Sequence, residues 1–550
     1  MHLARALLMP AAACLVGALL CPETAAAQFD EPPRPAAYAL QGVTVVGVDG
    51  SRLPDVTIIV RRGFIDAMGP EAALPPGVRL LEGDSLFVYP GIIDAQGKAE
   101  FEFPEPDVDR SELAFWAPPR EAQGFAPHRR VADYLTATGS GLASQRTKGV
   151  VAAAVHPEGP LMPGRGAVLV FRQSAASPTD LVAQPELGPV MSFEGASGMY
   201  PSTIFGAAAF LRQSMEDARY VGVVQAAHER DPRGVKAPAW DPDYAVLRSV
   251  MGGQTPVFFG ADRAADIKRA LELGDEYGFR PVIVGGREAW RVAGLLRERQ
   301  VPVLVSVDFP EPKRWDPEES DEPLDAAAER EKQDIENAYA NAGRLATAGV
   351  AFALTSGGGE ADIREGVRKA IEYGLAEDAA LAAVTTSPAR LLGLEYLTRV
   401  EVGMPATFVV TDGPLFGEDA KVLYTFVEGE LEEGAKAGGG EPPTVDVTGR
   451  WEVKIDAQGQ PFSGTMVLEQ EGAEFTGSIE LELGTVQVRD GAVSANKVTF
   501  VMVISMGGES AEMDARGTVE GDEVRGSGSG PMGSFTFRAT RSGTPEEGQR

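Results

Sequence analysis

Cysteine is almost absent from the sequence. Its 550 residues include only Cys14 and Cys21, and both lie within the first 27 residues. That segment is typical of a secretory signal peptide, because Arg5 precedes a short apolar run that ends at the small-residue stretch TAAAQ. We expect residues 1–27 to be removed and the protein to be exported, to the periplasm or out of the cell. The mature chain would then have no disulfide and no cysteine-ligated metal.

Long apolar runs are also missing after this segment, which argues against a later membrane span. Within the segment, a membrane anchor is the alternative to a cleaved signal, although the apolar run is short and interrupted by Pro10. A lipid attached to Cys21 is a second alternative, although the preceding Leu20 is bulky where such sites usually carry a small residue.

Positive charge is scarce. The chain has 50 Lys and Arg residues against 80 Asp and Glu residues, a net charge of −30, and losing Arg5 and Glu23 with the signal leaves that value unchanged. Nucleic acids and anionic membranes attract basic surfaces, so this balance argues against both as partners. With 44% hydrophobic and 24% charged residues, the composition is that of a soluble globular protein long enough for two or three domains.

The order of strand and helix patterns divides the chain. Residues 38–88 read as short strands, apolar or alternating, between Gly and Asp-Gly turns. From about residue 130 to residue 395, apolar runs alternate with amphipathic helical patterns, which predicts an α/β region with a buried parallel sheet. A Gly- and Pro-rich linker, 436–445, precedes a strand-rich segment, 446–541, that predicts an antiparallel sandwich or barrel. We expect residues 542–550 to be disordered.

Five stretches in collinear order resemble the amidohydrolase superfamily, the urease- and imidazolonepropionase-like hydrolases. They are VTVVGVDGSRLPDVTIIVRRGFIDAMG, YPGIIDA, PVFFGADRAADIKRALELGDEYGFRPVIVGG, TTSPARLLGL and VGMPATFVVTDGPL. The helix entry YPSTIFGAAAFLRQSMEDA further resembles a secreted bacterial branch of that family. The resemblance implies a TIM-like (β/α)8 barrel over residues 89–395. It also implies that residues 28–88 and 396–435 pair into one small composite β-sandwich.

The resemblance fails where the family binds metal. Its members hydrolyse C–N bonds with one or two divalent metal ions, typically zinc, held by histidines and an aspartate at barrel strand ends. At the first strand, Gln96 and Lys98 stand where the family has its pair of histidines. The fifth-strand position is Gly260, the sixth-strand position lies at or near Gly285, and the eighth-strand position, an aspartate in the family, is Thr355. The mature chain keeps three histidines, His128, His156 and His228, and no two have ligand spacing. We therefore predict no zinc site and no other cofactor.

Three side chains are candidates for catalysis without zinc: Lys98, Asp262 and Asp308. An ammonium group at Lys98 could replace part of the missing positive charge, or act as a base if desolvated, but its commoner role is a salt bridge to Glu100 or Asp262. Asp262 and Asp308 follow apolar strands, where barrel enzymes keep their chemistry, although Asp262 could instead cap the next helix. Together with Glu194 they could form an oxygen-ligand site for magnesium or calcium, but no spacing specifies one.

One histidine also falls at a strand end. His156 closes the apolar run GVVAAAVH and could act as a general base at the barrel mouth. The commoner role of such a histidine is a hydrogen bond that holds the end of the strand.

These residues leave two main hypotheses. In the first, the protein is an exported amidohydrolase-related protein with a degenerate metal centre, weakly active or inactive, that binds a small-molecule or peptide-like ligand. In the second, it hydrolyses C–N bonds of non-peptide amides with a non-standard, zinc-free site. Partner binding by the C-terminal β domain is a third, non-enzymatic role.

Overall fold

The structure is a computed structural model. It describes residues 37–543, apart from 82–85, 107, 109–112, 311, 314–324, 360–361, 435–442, 458–459, 482–483, 507–508 and 531–532. The expected signal peptide, most of the expected linker and residues 544–550 of the expected tail therefore lie outside the described residues. Within the described residues, no helix has the length and apolar character needed to cross a membrane.

Strands form both ends of the described chain and alternate with helices between them. The strands are, in chain order, β1 Ala37–Val46, β2 Arg52–Arg61, β3 Phe64–Gly69, β4 Arg79–Leu81, β5 Phe87–Pro90, β6 Ile92–Gly97, β7 Val150–Val155, β8 Ala167–Val170, β9 Val182–Gln184, β10 Val190–Ser192, β11 Pro256–Ala261, β12 Arg280–Gly285, β13 Val303–Ser306, β14 Phe352–Thr355, β15 Phe408–Thr411, β16 Val422–Val427, β17 Glu430–Glu433, β18 Gly449–Ala457, β19 Gln460–Glu471, β20 Glu474–Leu481, β21 Gly484–Ser494, β22 Lys497–Met506, β23 Glu509–Glu520, β24 Glu523–Gly530 and β25 Gly533–Gly543.

The helices lie in the middle of the chain. The α-helices are α1 Val131–Tyr134, α2 Ala143–Thr147, α3 Pro178–Leu181, α4 Ile204–Arg230, α5 Pro242–Met251, α6 Ala264–Tyr277, α7 Ala293–Glu298, α8 Ala326–Tyr339, α9 Asn341–Ala348, α10 Ile363–Glu372, α11 Glu377–Val384 and α12 Thr386–Leu392. Short 3-10 helices span Glu121–Gln123, Ser140–Leu142, Ala289–Val292 and Glu395–Thr398.

One sheet joins strands from before and after the central region. Its order is β17-β16-β15-β5-β1-β2-β3, with β4 paired to β1. Strand β5 makes the connection, because it lies parallel to β1 and antiparallel to β15. Apolar residues from both segments, for example Ile58 and Phe408, belong to one buried cluster. The two segments, distant in sequence, therefore share a core.

A ring of strands surrounds a second core. Strands β10 to β14 form a parallel sheet, β6 to β9 form another sheet, and β14 contacts β6. Strand β7, VVAAAV, is buried along its whole length, as expected when both faces of a parallel strand are covered. Successive residues of β11 point to opposite faces of the sheet and belong to different apolar clusters. Phe258 packs with residues of most other ring strands, whereas Phe259 packs with the surrounding helices. The result is a TIM-barrel type of domain.

The ring departs from regular (β/α)8 geometry after β7. Strand β8 runs antiparallel to β7, and the described residues between these two strands form no helix. Pro157, Pro160 and Pro163 lie in this connection. Proline has no backbone N–H and clashes inside a helix, so the chain returns directly as a second strand instead of crossing over through a helix. The expectation of eight regular βα units therefore does not hold at this connection.

The C-terminal strands form a closed antiparallel barrel. Each strand from β18 to β25 pairs with its neighbour, and β25 pairs back with β18. The alternating pattern of β18, GRWEVKIDA, places Trp451 and every second residue in the interior. The Trp451 indole N–H donates to Val447 O at 2.9 Å, and the Arg541 guanidinium lies 4.3 Å from the centre of its ring. The predicted all-β domain is confirmed as a barrel.

Candidate functional site

The candidate site is the mouth of the ring, where the C-terminal ends of its parallel strands meet. In barrels of this type, side chains at these ends perform the chemistry, because each strand delivers one or two of them to a common opening. Here β6 ends at Gly97, β11 at Ala261, β12 at Gly285, β13 at Ser306 and β14 at Thr355.

A buried carboxyl group connects the first and last strands of the ring. Asp94 is only 3% exposed. The Ser356 backbone N–H donates to both of its oxygens, at 3.3 and 3.2 Å, and the Gln96 N–H donates to Oδ1 at 3.0 Å. Burial raises the pKa of Asp94 above its usual value, although the hydrogen bonds from Ser356 and Gln96 oppose this. Asp94 therefore fastens β6 to the end of β14.

Gln96 belongs to the same network. Its carbonyl oxygen accepts from the Gly358 N–H at 2.7 Å and from the Ser356 hydroxyl at 3.3 Å. Its side-chain Nε2 donates to Gly357 O at 3.5 Å. Its Oε1 is buried and has no hydrogen-bond partner among the described residues. The residue that replaces the first expected histidine thus binds mainly to the backbone of its neighbour strand.

His156 lies beside this network at the end of β7. Its Nε2 donates to Ala95 O at 3.1 Å, and its ring centre lies 4.6 Å from that of Phe258. The residue as a whole is partly exposed, yet its Nδ1 is buried and has no partner within the described part of the chain. Burial lowers the pKa of His156 to about 4, although the bond to Ala95 opposes this, so the imidazole is neutral near pH 7. The structure thus shows the hydrogen-bonded arrangement of a strand-end histidine.

The backbone conformation at Gly285 disfavours a side chain. Gly285 has a φ of +92°, a conformation that suits glycine, and a Cβ atom there would lie 2.5 Å from Asp262 Oδ1. At Gly260 the space is more open, because a Cβ would meet Ser192 Cβ at an ordinary 3.6 Å. The φ angle of Gly285 therefore disfavours a residue with a side chain, whereas the exposed Asp262 side chain could move aside.

The three predicted catalytic residues each follow the end of a different ring strand, β6, β11 and β13. Lys98 follows β6 and is exposed, so its ammonium group is not desolvated as a catalytic base would require. Asp262 is exposed and accepts from the Arg287 N–H at 3.3 Å; helix α6 begins after Arg263, without a side-chain cap from Asp262. Asp308 is exposed, and its backbone N–H donates to Ser306 Oγ at 3.1 Å.

The donor set of the mouth does not suit a metal ion. Across the described ranges, no group of three or more His, Cys, Asp or Glu side chains could hold one. The magnesium or calcium site considered for Asp262, Asp308 and Glu194 is therefore not formed. A catalytic zinc site takes three nitrogen, sulfur or carboxylate side-chain ligands and a water, and the described residues group no three such side chains.

Two residues of the network, Asp94 and Ser356, were not among the predicted candidates. Thr355 was expected at the place of the eighth-strand ligand, but it is fully buried, and its Oγ1 accepts from the Gly357 N–H at 3.2 Å. The next residue, Ser356, makes the contacts to β6 instead. The position of Asp94, directly after the apolar residues Ile92 and Ile93 of β6, was the signal in the sequence for its burial.

Comparisons with known proteins agree with this architecture. Residues 316–432 match the amidohydrolase family. An amidohydrolase from Thermotoga maritima MSB8 is similar in structure, with a TM-score of 0.57 at 22% identity over 72% of this chain and 99% of that one. No curated protein matches the chain.

Two further solved structures show a weaker likeness. A prolidase complexed with N-methylphosphonate-L-proline has a TM-score of 0.43 at 17% identity, over 72% of this chain and 99% of its own. A zinc-bound adenosine deaminase from Xanthomonas campestris has a TM-score of 0.41 at 17% identity, over 73% of this chain and 94% of its own. The family match over residues 316–432 and the likeness to the Thermotoga maritima structure agree with the fold described above, a TIM-barrel domain followed by a C-terminal β-barrel.

Proposed function

We propose that this protein is an exported amidohydrolase-related protein whose metal centre is degenerate. Its barrel mouth binds a small-molecule or peptide-like ligand, and zinc-dependent hydrolysis is weak or absent. The observation that carries this proposal is that no three His, Cys, Asp or Glu side chains of the described residues are grouped so that they could hold a metal ion. At Gly285, at or near the position expected for the sixth-strand ligand, a φ of +92° also disfavours any residue with a side chain.

The hydrogen-bond network at the first strand supports the proposal. The backbone carbonyl oxygen of Gln96 accepts from Gly358 and Ser356, and its side-chain amide donates to Gly357. Its side-chain Oε1 has no partner among the described residues, but one amide oxygen alone does not make a metal site. These bonds hold the β6 and β14 ends together, so a metal ion is not needed to organise this part of the ring.

A zinc-free hydrolase remains the second candidate. His156 bears on it, because its imidazole is neutral near pH 7 and its buried Nδ1 has no partner among the described residues. In that case Lys98, Asp262 and Asp308 are the candidate catalytic residues, acting on a C–N bond of a non-peptide amide. The pKa of His156, lowered to about 4, makes it a weak base, and the other three side chains are exposed, so this second candidate has less support than the first.

Hydrolysis assays separate the two. The mature chain is tested on a panel of linear and cyclic amides, with zinc added, with a chelator added and with neither. We expect no turnover above the uncatalysed rate in any condition. Turnover that a chelator abolishes would refute the proposal, and turnover that is insensitive to the chelator but lost in His156→Gln would favour the zinc-free enzyme.

A further inference from the structure

A cleft of about 540 Å³ opens at the mouth beside the ends of β12 and β13. It is lined by Arg287, Pro310, Lys313, Ala327, Arg330, Glu331, Asp334 and Ile335. The first two residues follow β12 and β13, and the last five lie on one face of α8. Small-molecule sites in proteins commonly have volumes of roughly 300 to 1,000 Å³, so this cleft has a suitable size.

The charge of the cleft is unlike that of the rest of the molecule. Three of its eight lining residues are Lys or Arg, whereas 50 of all 550 residues are, in a chain of net charge −30. A protein this acidic repels anions over most of its surface. With Glu331 and Asp334 also in the lining, three cations and two carboxylates leave the cleft a net charge of +1, which favours an anion of low charge over a cation.

The cations are available to a ligand. Arg287, Lys313 and Arg330 are all exposed. Arg330 donates through Nε to Ala326 O at 2.8 Å, which holds the side chain along α8 and leaves its terminal nitrogens for another acceptor. Neither Arg287 nor Lys313 makes a side-chain ion pair with any residue that the structure describes. Two guanidinium groups are suited to bind the paired oxygens of a carboxylate or phosphate.

The remaining lining residues restrict the ligand further. Glu331 accepts from the Lys313 backbone N–H at 3.2 Å, and Asp334 is exposed, so a multiply charged anion would meet two carboxylates. Pro310, Ala327 and Ile335 add an apolar wall. A ligand with one oxyanion and an apolar part satisfies both features.

We propose that this cleft binds a small organic oxyanion, a carboxylate or phosphate joined to a compact apolar group, through Arg287, Arg330 and Lys313. The inference rests on the proposed function only in taking the barrel mouth as a ligand site. Zinc content and amide turnover test the proposed function. Anion binding is measured without zinc and without turnover, so the proposed function and this inference can fail independently.

Calorimetric titration of the full mature chain at low ionic strength tests the site with three probes. Hexanoate carries the carboxylate and an apolar part, hexanamide has the same shape without charge, and inorganic phosphate has charge without the apolar part. We expect saturable binding of hexanoate, much weaker binding of hexanamide, and weakening of hexanoate binding at high ionic strength.

Matched variants locate the binding. Arg287→Gln and Arg330→Gln should each weaken hexanoate binding about tenfold or more, because each removes a charged hydrogen-bond donor. Arg280→Gln is the control, since Arg280 is exposed at the opposite end of the same strand, β12, and should leave binding unchanged. Circular dichroism of each variant checks the fold.

Several results would overturn the inference. These are no saturable binding of hexanoate, equal binding of hexanoate and hexanamide, or equal loss in the Arg280 variant and in the two cleft variants. Binding of inorganic phosphate alone would overturn the organic ligand and assign the cleft to a free ion.

Discussion

At the scale of single residues, the backbone conformation of Gly285 restricts which residues this position can accept. A side chain can be exchanged at many positions, but a backbone with φ near +92° and a carboxylate oxygen 2.5 Å from the would-be Cβ admits only glycine without rearrangement. The main chain at Gly285 therefore favours glycine. A histidine placed there would carry the strain of this φ angle.

A pair of glycine substitutions tests this. Gly285→Ala should lower the free energy of unfolding by roughly 1 to 3 kcal/mol, because of the φ angle and the close approach to Asp262. Gly294→Ala, in helix α7 with no heavy atom within 4 Å of its would-be Cβ, should instead raise it by about 0.5 to 1 kcal/mol. Urea unfolding of both variants measures the difference, and equal effects would contradict the backbone argument.

His156 predicts a pH dependence at the same scale. Its pKa is lowered to about 4 in the folded protein from an ordinary 6.5, so between these values the unfolded chain binds the proton and the folded chain does not. Its contribution to stability is thus fully present above about pH 6.5 and is lost as the pH falls toward 4. The raised pKa of Asp94 acts with the opposite sign, which makes a variant comparison necessary.

The comparison uses His156→Phe, which cannot titrate. Thermal unfolding midpoints of this variant and of the native sequence are measured from pH 7 down to pH 4. The midpoint of the native protein should fall more steeply than that of the variant. Parallel curves would show that the imidazole of His156 does not have a lowered pKa.

At the scale of elements, the β6–β14 junction closes the ring. The two strands lie at the ends of separate hydrogen-bonded sheets, and Asp94 connects them through the backbone of Ser356. A buried carboxyl that accepts several N–H bonds is hard to replace, because removing it leaves those donors unpaired. We infer that Asp94 has a structural role that survives the loss of metal ligands around it.

Removing this carboxyl should be costly. Asp94→Ala should lower the free energy of unfolding by roughly 2 to 4 kcal/mol, since the N–H groups of Gln96 and Ser356 lose their acceptor. Asp308→Ala, at an exposed aspartate of the same mouth, should change it by less than about 0.5 kcal/mol. Chemical denaturation of both variants provides the measurement, and a small effect at Asp94 would contradict the proposed junction.

The sequence predicted the elements better than their connections. Apolar runs such as VVAAAV and the alternating pattern around Trp451 are local signals, and both became the strands they indicate. The antiparallel return after β7 was missed, although three prolines mark that connection. At the site, the strand-end position of His156 could be read from the sequence. The closed space at Gly285 and the contact of Ser356 with Asp94 depend on strands distant in sequence, so no local pattern could reveal them.

At the scale of the whole molecule, the C-terminal barrel has its own closed hydrogen-bond ring and its own apolar core. Residues 446–550 expressed alone should therefore fold. Trp451 would be the only tryptophan of this fragment, and its burial predicts a blue-shifted emission that moves to longer wavelength in one cooperative unfolding transition. A fragment with solvent-exposed emission before denaturation would contradict an independent barrel.

We expect the purified protein to hold no zinc, because no three His, Cys, Asp or Glu side chains of the described residues are grouped so that they could bind a metal ion. The measurement is elemental analysis of the mature protein after incubation with zinc and removal of the excess. We expect far less than one zinc ion per chain, and one tightly held ion per chain would contradict the proposed degenerate metal centre.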